Sequence, residues 1–222
     1  MTIDLSRSVS AASQRKSSVG PLVIIVDDDR SVREALADLI LSSGYEPLCF
    51  GSTRELLESD ALERPGCLIL DVRMPGASGL DLQQQLVRNG NEKPVIFLTG
   101  HGDIPMTVQA MKHGAVDFLT KPVRDQTLLD AVATGIARDR EQRAQSEVSR
   151  HNAERLETLT PRELEVLRDV ERGRLNKQIA FDLGISEVTV KLHRSNAMHK
   201  MGTTSLAELI RLWETLPERL RG

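Results

Sequence analysis

Three consecutive aspartates, Asp27, Asp28 and Asp29, directly follow the apolar run Leu22–Val26. Asp71 follows a second run at 67–70, Thr99 a third at 94–98, and Lys121 lies just past a fourth at 116–119. Continuous apolar runs of this length read as strands buried on both faces of a parallel sheet. In an open α/β sheet, the loops after the strands' carboxyl ends meet at the topological switch point. Four distant stretches of chain thereby bring carboxylates, a hydroxyl and an ammonium to one edge. Carboxylates packed together repel, so the cluster favours a hard divalent cation with oxygen ligands. Mg²⁺ fits, since it uses few carboxylates alongside waters and phosphate oxygens. The matching chemistry is phosphoryl transfer to a carboxylate, with Asp71 as in-line nucleophile. Lys121 and the cation would neutralise charge on the transferring oxygens, and the Thr99 hydroxyl would hydrogen-bond one of them. Asp29 has a simpler reading as the cap of the next helix, or as a support behind the site.

The elements that must position these groups alternate regularly. Strands are expected at Leu22–Val26, 47–50, 67–70, 94–98 and 116–119. Between them, helical spacing appears after the capping box Ser31/Glu34 and over 52–58, 78–89, 103–113 and 124–137. Five strands alternating with five helices predict a doubly wound α/β domain with a five-stranded parallel sheet. Residues 138–155 are almost all polar, with opposite charges interleaved, and read as a charged, exposed helical linker without a core of its own. A coiled coil there has few apolar positions to use. Residues 156–218 read as a small all-α domain. Its helices begin at Pro161, Asn176, Ser186 and Ser205, with Gly184 in the turn between the second and third, the outline of a helix-turn-helix.

Composition narrows the field. The 222-residue chain holds six aromatic residues, Tyr45, Phe50, Phe97, Phe118, Phe181 and Trp213, too few for a stacking platform on single-stranded nucleic acid. Cys49 and Cys67 make neither a disulfide framework nor a zinc pattern. No apolar run approaches the length of a membrane span, and the Ser-rich residues 1–20 read as a disordered leader, not a signal peptide. A cytoplasmic protein without a membrane partner is expected. The net charge of −3 hides an asymmetry: residues 21–137 carry 10 Lys+Arg against 17 Asp+Glu, whereas residues 155–222 carry 12 against 10. An acidic half joined to a mildly basic half points to two units with different partners.

Val26-Asp27-Asp28, Leu70-Asp71-Val72-Arg73-Met74-Pro75, Leu98-Thr99-Gly100 and Thr120-Lys121-Pro122 together resemble the receiver domain of two-component response regulators, a flavodoxin-like fold. The stretch from Gly100 to Met106 and Ala115-Val116-Asp117-Phe118 are similar to the FixJ-like subgroup. The resemblance covers residues 22–137. It implies that Asp27, Asp28, Asp71 and the backbone carbonyl of Arg73 hold Mg²⁺, and that Asp71 accepts phosphate from a histidine kinase. It also implies that Thr99, Gly100 and Lys121 bind the phosphoryl group, that Lys121-Pro122 is cis, and that Phe118 is the switch aromatic. Phe118 also reads as a plain core residue. Val123 stands where the subgroup usually has Phe, and Arg73 and His101 occupy positions where relatives tune phosphoryl lifetime.

The segment from Asn176 to Ser195, with Leu159-Thr160-Pro161-Arg162-Glu163 upstream, resembles the LuxR/NarL-type DNA-binding domain. At 100° per residue, Val190, Ala197 and Met201 share the inner face of the helix after Ser186, with Arg194 on its flank. Lys191, Ser195, Val188, His199 and Leu192 share the outer face, which should enter the major groove of promoter DNA. Lys191 can reach guanine or a phosphate, Leu192 and Val188 thymine methyls, and Ser195 either base type. Thr189 and Lys177 suit phosphate contacts, and His193 reads equally as a core residue or a contact. A domain of net charge +2 binds DNA weakly alone, so a homodimer formed on phosphorylation is expected, with RNA polymerase a further partner. Two rivals remain at this point. A Mg-dependent aspartate phosphatase would place its nucleophile in a D-x-D motif after its first strand, whereas here Asp27-Asp28-Asp29 is followed by Arg30 and the matching Asp71 lies elsewhere. A phosphorylation-independent DNA-binding regulator would not need the intact Asp27, Asp28, Asp71, Thr99 and Lys121 set.

Overall fold

A computed structural model of the chain describes residues 20–100 and 103–221. The expected leader therefore lies outside the described residues except for Gly20, as does His101. The chain divides into two compact units, one through Arg140 and one from Glu141.

Unit 1 alternates β1 (Leu22–Val26), α1 (Arg30–Ser42), β2 (Glu46–Phe50), α2 (Thr53–Leu57), a 3₁₀ turn (Ala61–Glu63), β3 (Gly66–Leu70), α3 (Gly79–Arg88), β4 (Val95–Thr99), α4 (Ile104–Lys112) and β5 (Asp117–Thr120), and then enters α5 (Asp125–Glu157). The sheet is parallel throughout, in the order β2-β1-β3-β4-β5. Strands β1, β3 and β4 are buried at every position, whereas the edge strands β2 and β5 are largely half-buried. That difference explains why the central runs are continuously apolar and the edge runs are not.

Side chains alternate across the sheet. Val23, Ile25, Cys67, Ile69, Ile96 and Leu98 pack with Leu36 and Ile40 of α1 and Leu128, Ala131 and Val132 of α5. Ile24, Leu68, Leu70 and Phe97 pack on the other face with Leu56, Leu82, Leu86 and Ala110 from α2, α3 and α4. Register places Val26 level with both Phe50 and Leu70, and the Asp71 amide donates to the Val26 carbonyl at 2.9 Å. The Asp27 and Asp71 backbones are therefore neighbours at the switch point between β1 and β3. Gly79 opens α3 directly against this spot, where a Cβ would collide with the Asp71 carbonyl.

Two local expectations are corrected. The α1 cap is Asp29, not Ser31: the Asp29 carboxylate accepts the Ser31 amide at 2.8 Å, and Glu34 pairs instead with Arg30 at 2.7 Å. The helical segment read over 124–137 and the helical linker read after it form one unbroken helix to Glu157. No proline interrupts it, and i,i+4 pairs such as Arg150 to Glu154 at 2.8 Å support its exposed side. Nor is the stretch 138–155 wholly solvated. Asp139 is buried and accepts the Gly66 amide at 2.8 Å, and Asn152 is buried and donates to Thr215 Oγ1 at 2.8 Å.

Unit 2 adds α6 (Pro161–Glu171), α7 (Asn176–Leu183), α8 (Glu187–Met201), α9 (Leu206–Thr215) and a final turn, α10 (Glu218–Arg221). Thr160 forms a full capping box with Glu163, and Ser186 and Ser205 cap α8 and α9. Val166, Leu167, Ile179, Val190, Ala197, Met201, Leu209 and Trp213 form one core with Leu156 from the end of α5.

Candidate functional site

At the carboxyl edge of the sheet, Asp27, Asp28 and Asp71 each present a carboxylate oxygen within 4.8 Å of the others. Asp27 and Asp71 are buried and Asp28 is exposed, so the cluster opens to solvent on one side. Lys121 reaches in from beyond β5, donating to Asp27 Oδ2 at 2.5 Å and Asp71 Oδ2 at 3.1 Å. Burial works against its charge, but the hydrogen bonds and negative charges of Asp27 and Asp71 outweigh that and hold the ammonium above its ordinary pKa. The Lys121-Pro122 peptide is cis. Thr99, 1% exposed at the end of β4, lines the same cleft of ≈ 340 Å³ with Gly100, Arg73, Asp29 and Val32. The Arg73 amide donates to Asp71 Oδ1 at 3.2 Å, and the Asp29 amide to Asp27 Oδ1 at 2.9 Å. Phe118 is half-buried beside this edge, its ring 5.8 Å from that of Phe97.

Three converging carboxylates with one ammonium between them are a hard-oxygen donor set open on one side. They fit a small divalent cation that retains waters, and no thiol or imidazole lies among the lining side chains. The nucleophile, hydroxyl and ammonium expected from three distant segments thus share one cleft.

In unit 2, Val190, Ala197 and Met201 are fully buried while Lys191, Ser195 and His199 are exposed on α8, as are the apolar Val188 at 75% and Leu192 at 58%. Lys177 is exposed in the first turn of α7. Thr189 is half-buried at the α8 start, where its amide and hydroxyl both meet the Ser186 hydroxyl. His193 is half-buried. Gly184, in the left-handed region at φ 63°, makes the turn between α7 and α8.

Comparison with known proteins matches residues 23–133 to the response regulator receiver domain and residues 157–213 to the bacterial regulatory proteins of the luxR family. Nodulation protein W of Bradyrhizobium diazoefficiens is 51% identical over 201 residues, 90% of this chain and 88% of that protein. The chain is a two-component response regulator. Its LuxR-type unit makes it a DNA-binding transcription regulator. The response regulator protein TodT of Pseudomonas putida is 47% identical over 90% of this chain and 88% of its own length. The transcriptional regulatory protein FixJ of Azorhizobium caulinodans is 44% identical over 86% and 90%. A low-resolution structure of the response regulator StyR, 47% identical, superposes with a TM-score of 0.75 over 88% of this chain and 99% of that one.

Several contacts of this response regulator carried no sequence signal. Val32 lines the receiver cleft from the first turn of α1, where its type reads only as core. In the output unit, Glu163 is buried and bound by Lys200 at 2.7 Å, and Arg194 donates to Asn176 Oδ1 at 3.3 Å. Polar partners 18 to 37 residues apart follow no local period. Among the described residues, no helix is long and apolar enough to cross a membrane.

Proposed function

We propose that the protein is a phosphorylation-controlled regulator of promoters in the cytoplasm, with Asp71 as the residue that accepts a phosphoryl group from a sensor histidine kinase. The observation that carries this reading is the convergence of Asp27, Asp28 and Asp71 within 4.8 Å, with the Lys121 ammonium between Asp27 and Asp71. Asp27, Asp28, Asp71 and the Arg73 backbone carbonyl would hold Mg²⁺, which supplies positive charge beside the transferring oxygens. An Asp71 carboxylate oxygen forms the new bond to phosphorus as the bond to the kinase's imidazole nitrogen breaks, and that nitrogen keeps the electron pair. Lys121 counters the developing oxygen charge. Thr99 and the Gly100 backbone, which line the cleft at the β4 end, would hydrogen-bond a phosphoryl oxygen.

Thr99 drawn towards phosphoryl-Asp71 leaves space for Phe118 to move inward, and the surface formed by α4, β5 and the start of α5 changes with it. Moving a 1:99 equilibrium to 99:1 takes about 5.5 kcal/mol of preferential stabilisation. Charge-assisted hydrogen bonds at about 1.5–3 kcal/mol each are of the right size. Ile104 at 81%, Val108 at 45% and Met111 at 45% make an exposed apolar stripe on α4, which supports this surface as the homodimer contact. The dimer presents two α8 helices to two half-sites, with Val188, Lys191, Leu192, Ser195 and His199 towards bases and Lys177 and Thr189 towards phosphates. Bound there, it meets RNA polymerase. The protein turns over no substrate of its own, because the phosphoryl group rests on the chain as a signal.

The test is a Mg²⁺-dependent, acid-labile label from a small phosphodonor. One phosphoryl group per chain is expected, with none on Asp71→Asn. A label surviving in Asp71→Asn, or sustained turnover of a generic phosphomonoester, would overturn the reading.

A further inference from the structure

Most cations of the output unit are engaged within it. Arg162 donates to the Leu183 carbonyl at 2.8 Å, closing the end of α7, and Arg174 pairs with both Asp169 and Asp182. Arg155 reaches the Met201 carbonyl at 3.2 Å, and Lys200 binds Glu163. Lys177 and Lys191 are instead exposed. Arg194 belongs with the first group. It sits half-buried on the inward flank of α8, between the fully buried Val190 and Ala197, and its Nη1 donates to Asn176 Oδ1 in the first turn of α7.

That turn has only half of the usual local support. Its N-cap residue is Leu175, which offers no side-chain hydrogen bond to the helix start, while Gln178 Oε1 accepts the Leu175 amide at 2.9 Å. Arg194 supplies a tie from the neighbouring helix, and Arg162 holds the opposite end of α7. Asn176 is next to Lys177, so a tie at Asn176 also sets where the Lys177 backbone stands relative to the outer face of α8. Phosphate contacts set the register in which a recognition helix reads bases, and a planar guanidinium holds such a geometry better than a flexible ammonium.

We propose that Arg194 is a positioning residue for DNA binding: it braces α8 against α7 and so places Lys177, and it does not itself meet the DNA. The inference rests on the reading that the outer face of α8 enters the groove. Charge alone would assign Arg194, on the recognition helix, to a phosphate.

The experiment uses the full-length protein and a labelled duplex enriched from a random pool by the wild type. Affinity is measured over a range of salt for Arg194→Met, Asn176→Ala and their combination. The brace predicts a loss of about five- to tenfold for either single variant, the same slope of log affinity against log salt in both, and a double variant no weaker than the singles. A slope reduced by about one for Arg194→Met but not for Asn176→Ala would mean a phosphate contact of Arg194 itself and overturn the proposal. Additive losses would also overturn it, as would unchanged affinity with only a lowered melting temperature. Lys191→Met tests the underlying interface separately, with a loss of about tenfold and a relaxed base preference expected. Unchanged affinity and preference there would withdraw that interface, while the Arg194 and Asn176 cycle would still decide the brace.

Discussion

Thr99 and Asp71 stand at the ends of adjacent strands and line one cleft, yet they do different work. In the proposed mechanism Asp71 would provide the oxygen that takes the phosphoryl group, and Thr99 the hydroxyl that reports its arrival. Removing the hydroxyl therefore separates the two roles. Thr99→Ala is expected to accept label at Asp71 but to lose about tenfold or more of the phosphorylation-induced gain in DNA affinity, the equivalent of one charge-assisted hydrogen bond. Paired labelling and anisotropy measurements check this. A label lost together with the affinity gain would place Thr99 in the transfer step instead. Asp29 shows how one residue type divides its labour. The first two members of the triplet face the metal-fitting cluster, while the third is held by Ser31, whose hydrogen bonds lower its carboxyl pKa, at the start of α1. Sequence leaves Asp29 and Ser31 as rival caps because both can accept a backbone amide. Only the backbone path after β1 selects between them.

Elements matter here through their ends. Helix α3 begins so close to the Asp71 backbone that Gly79 has no room for a Cβ. Gly79→Ala must push the Asp71 carbonyl aside, so a stability loss of about 1–3 kcal/mol is expected together with slower phosphorylation. Denaturant melts and labelling kinetics measure both. In the output unit the end of α8 is tied to the start of α6 through Lys200 and Glu163, and the Lys200 hydrogen bond holds the Glu163 carboxyl below its ordinary pKa. A lowered folded-state value means the stabilisation is present above the unfolded value of about 4.3 and fades as pH falls through the folded value. Acid melts of the output unit should show that loss below about pH 5, and Glu163→Gln should flatten it while costing about 1–3 kcal/mol near neutrality. An equally steep acid limb in Glu163→Gln would assign the effect to other carboxylates. The α6 capping box is plain in the sequence because Thr160 and Glu163 stand three residues apart. The Lys200 contact is not, because 37 residues intervene.

At the scale of the whole molecule, each of two units folds around its own core, and among the described residues only the first carries the cation-fitting cluster. Mg²⁺ at a hundredfold excess over its dissociation constant stabilises the folded form that binds it by about 2.7 kcal/mol. Calorimetry of the wild type should therefore show Mg²⁺ raising the receiver's unfolding transition and leaving that of the output unit in place. Asp27→Asn should remove the shift. If both transitions moved equally, the metal would not be local to the receiver. Helix α5 is shared by the two units, entering the receiver core through Leu128, Ala131 and Val132 and the output core through Leu156. The sequence by itself determined the alternation of strands and helices, the aspartates, hydroxyl and ammonium after the strands, and the inner and outer faces of α8. Each of these is a periodicity or a spacing set by a few neighbouring residues. Tertiary structure decided which oxygens converge, that Asp139 is buried against Gly66, and which arginines turn inward while Lys177 and Lys191 stay exposed. Those outcomes depend on strand register and on partners far along the chain, and no local pattern encodes them.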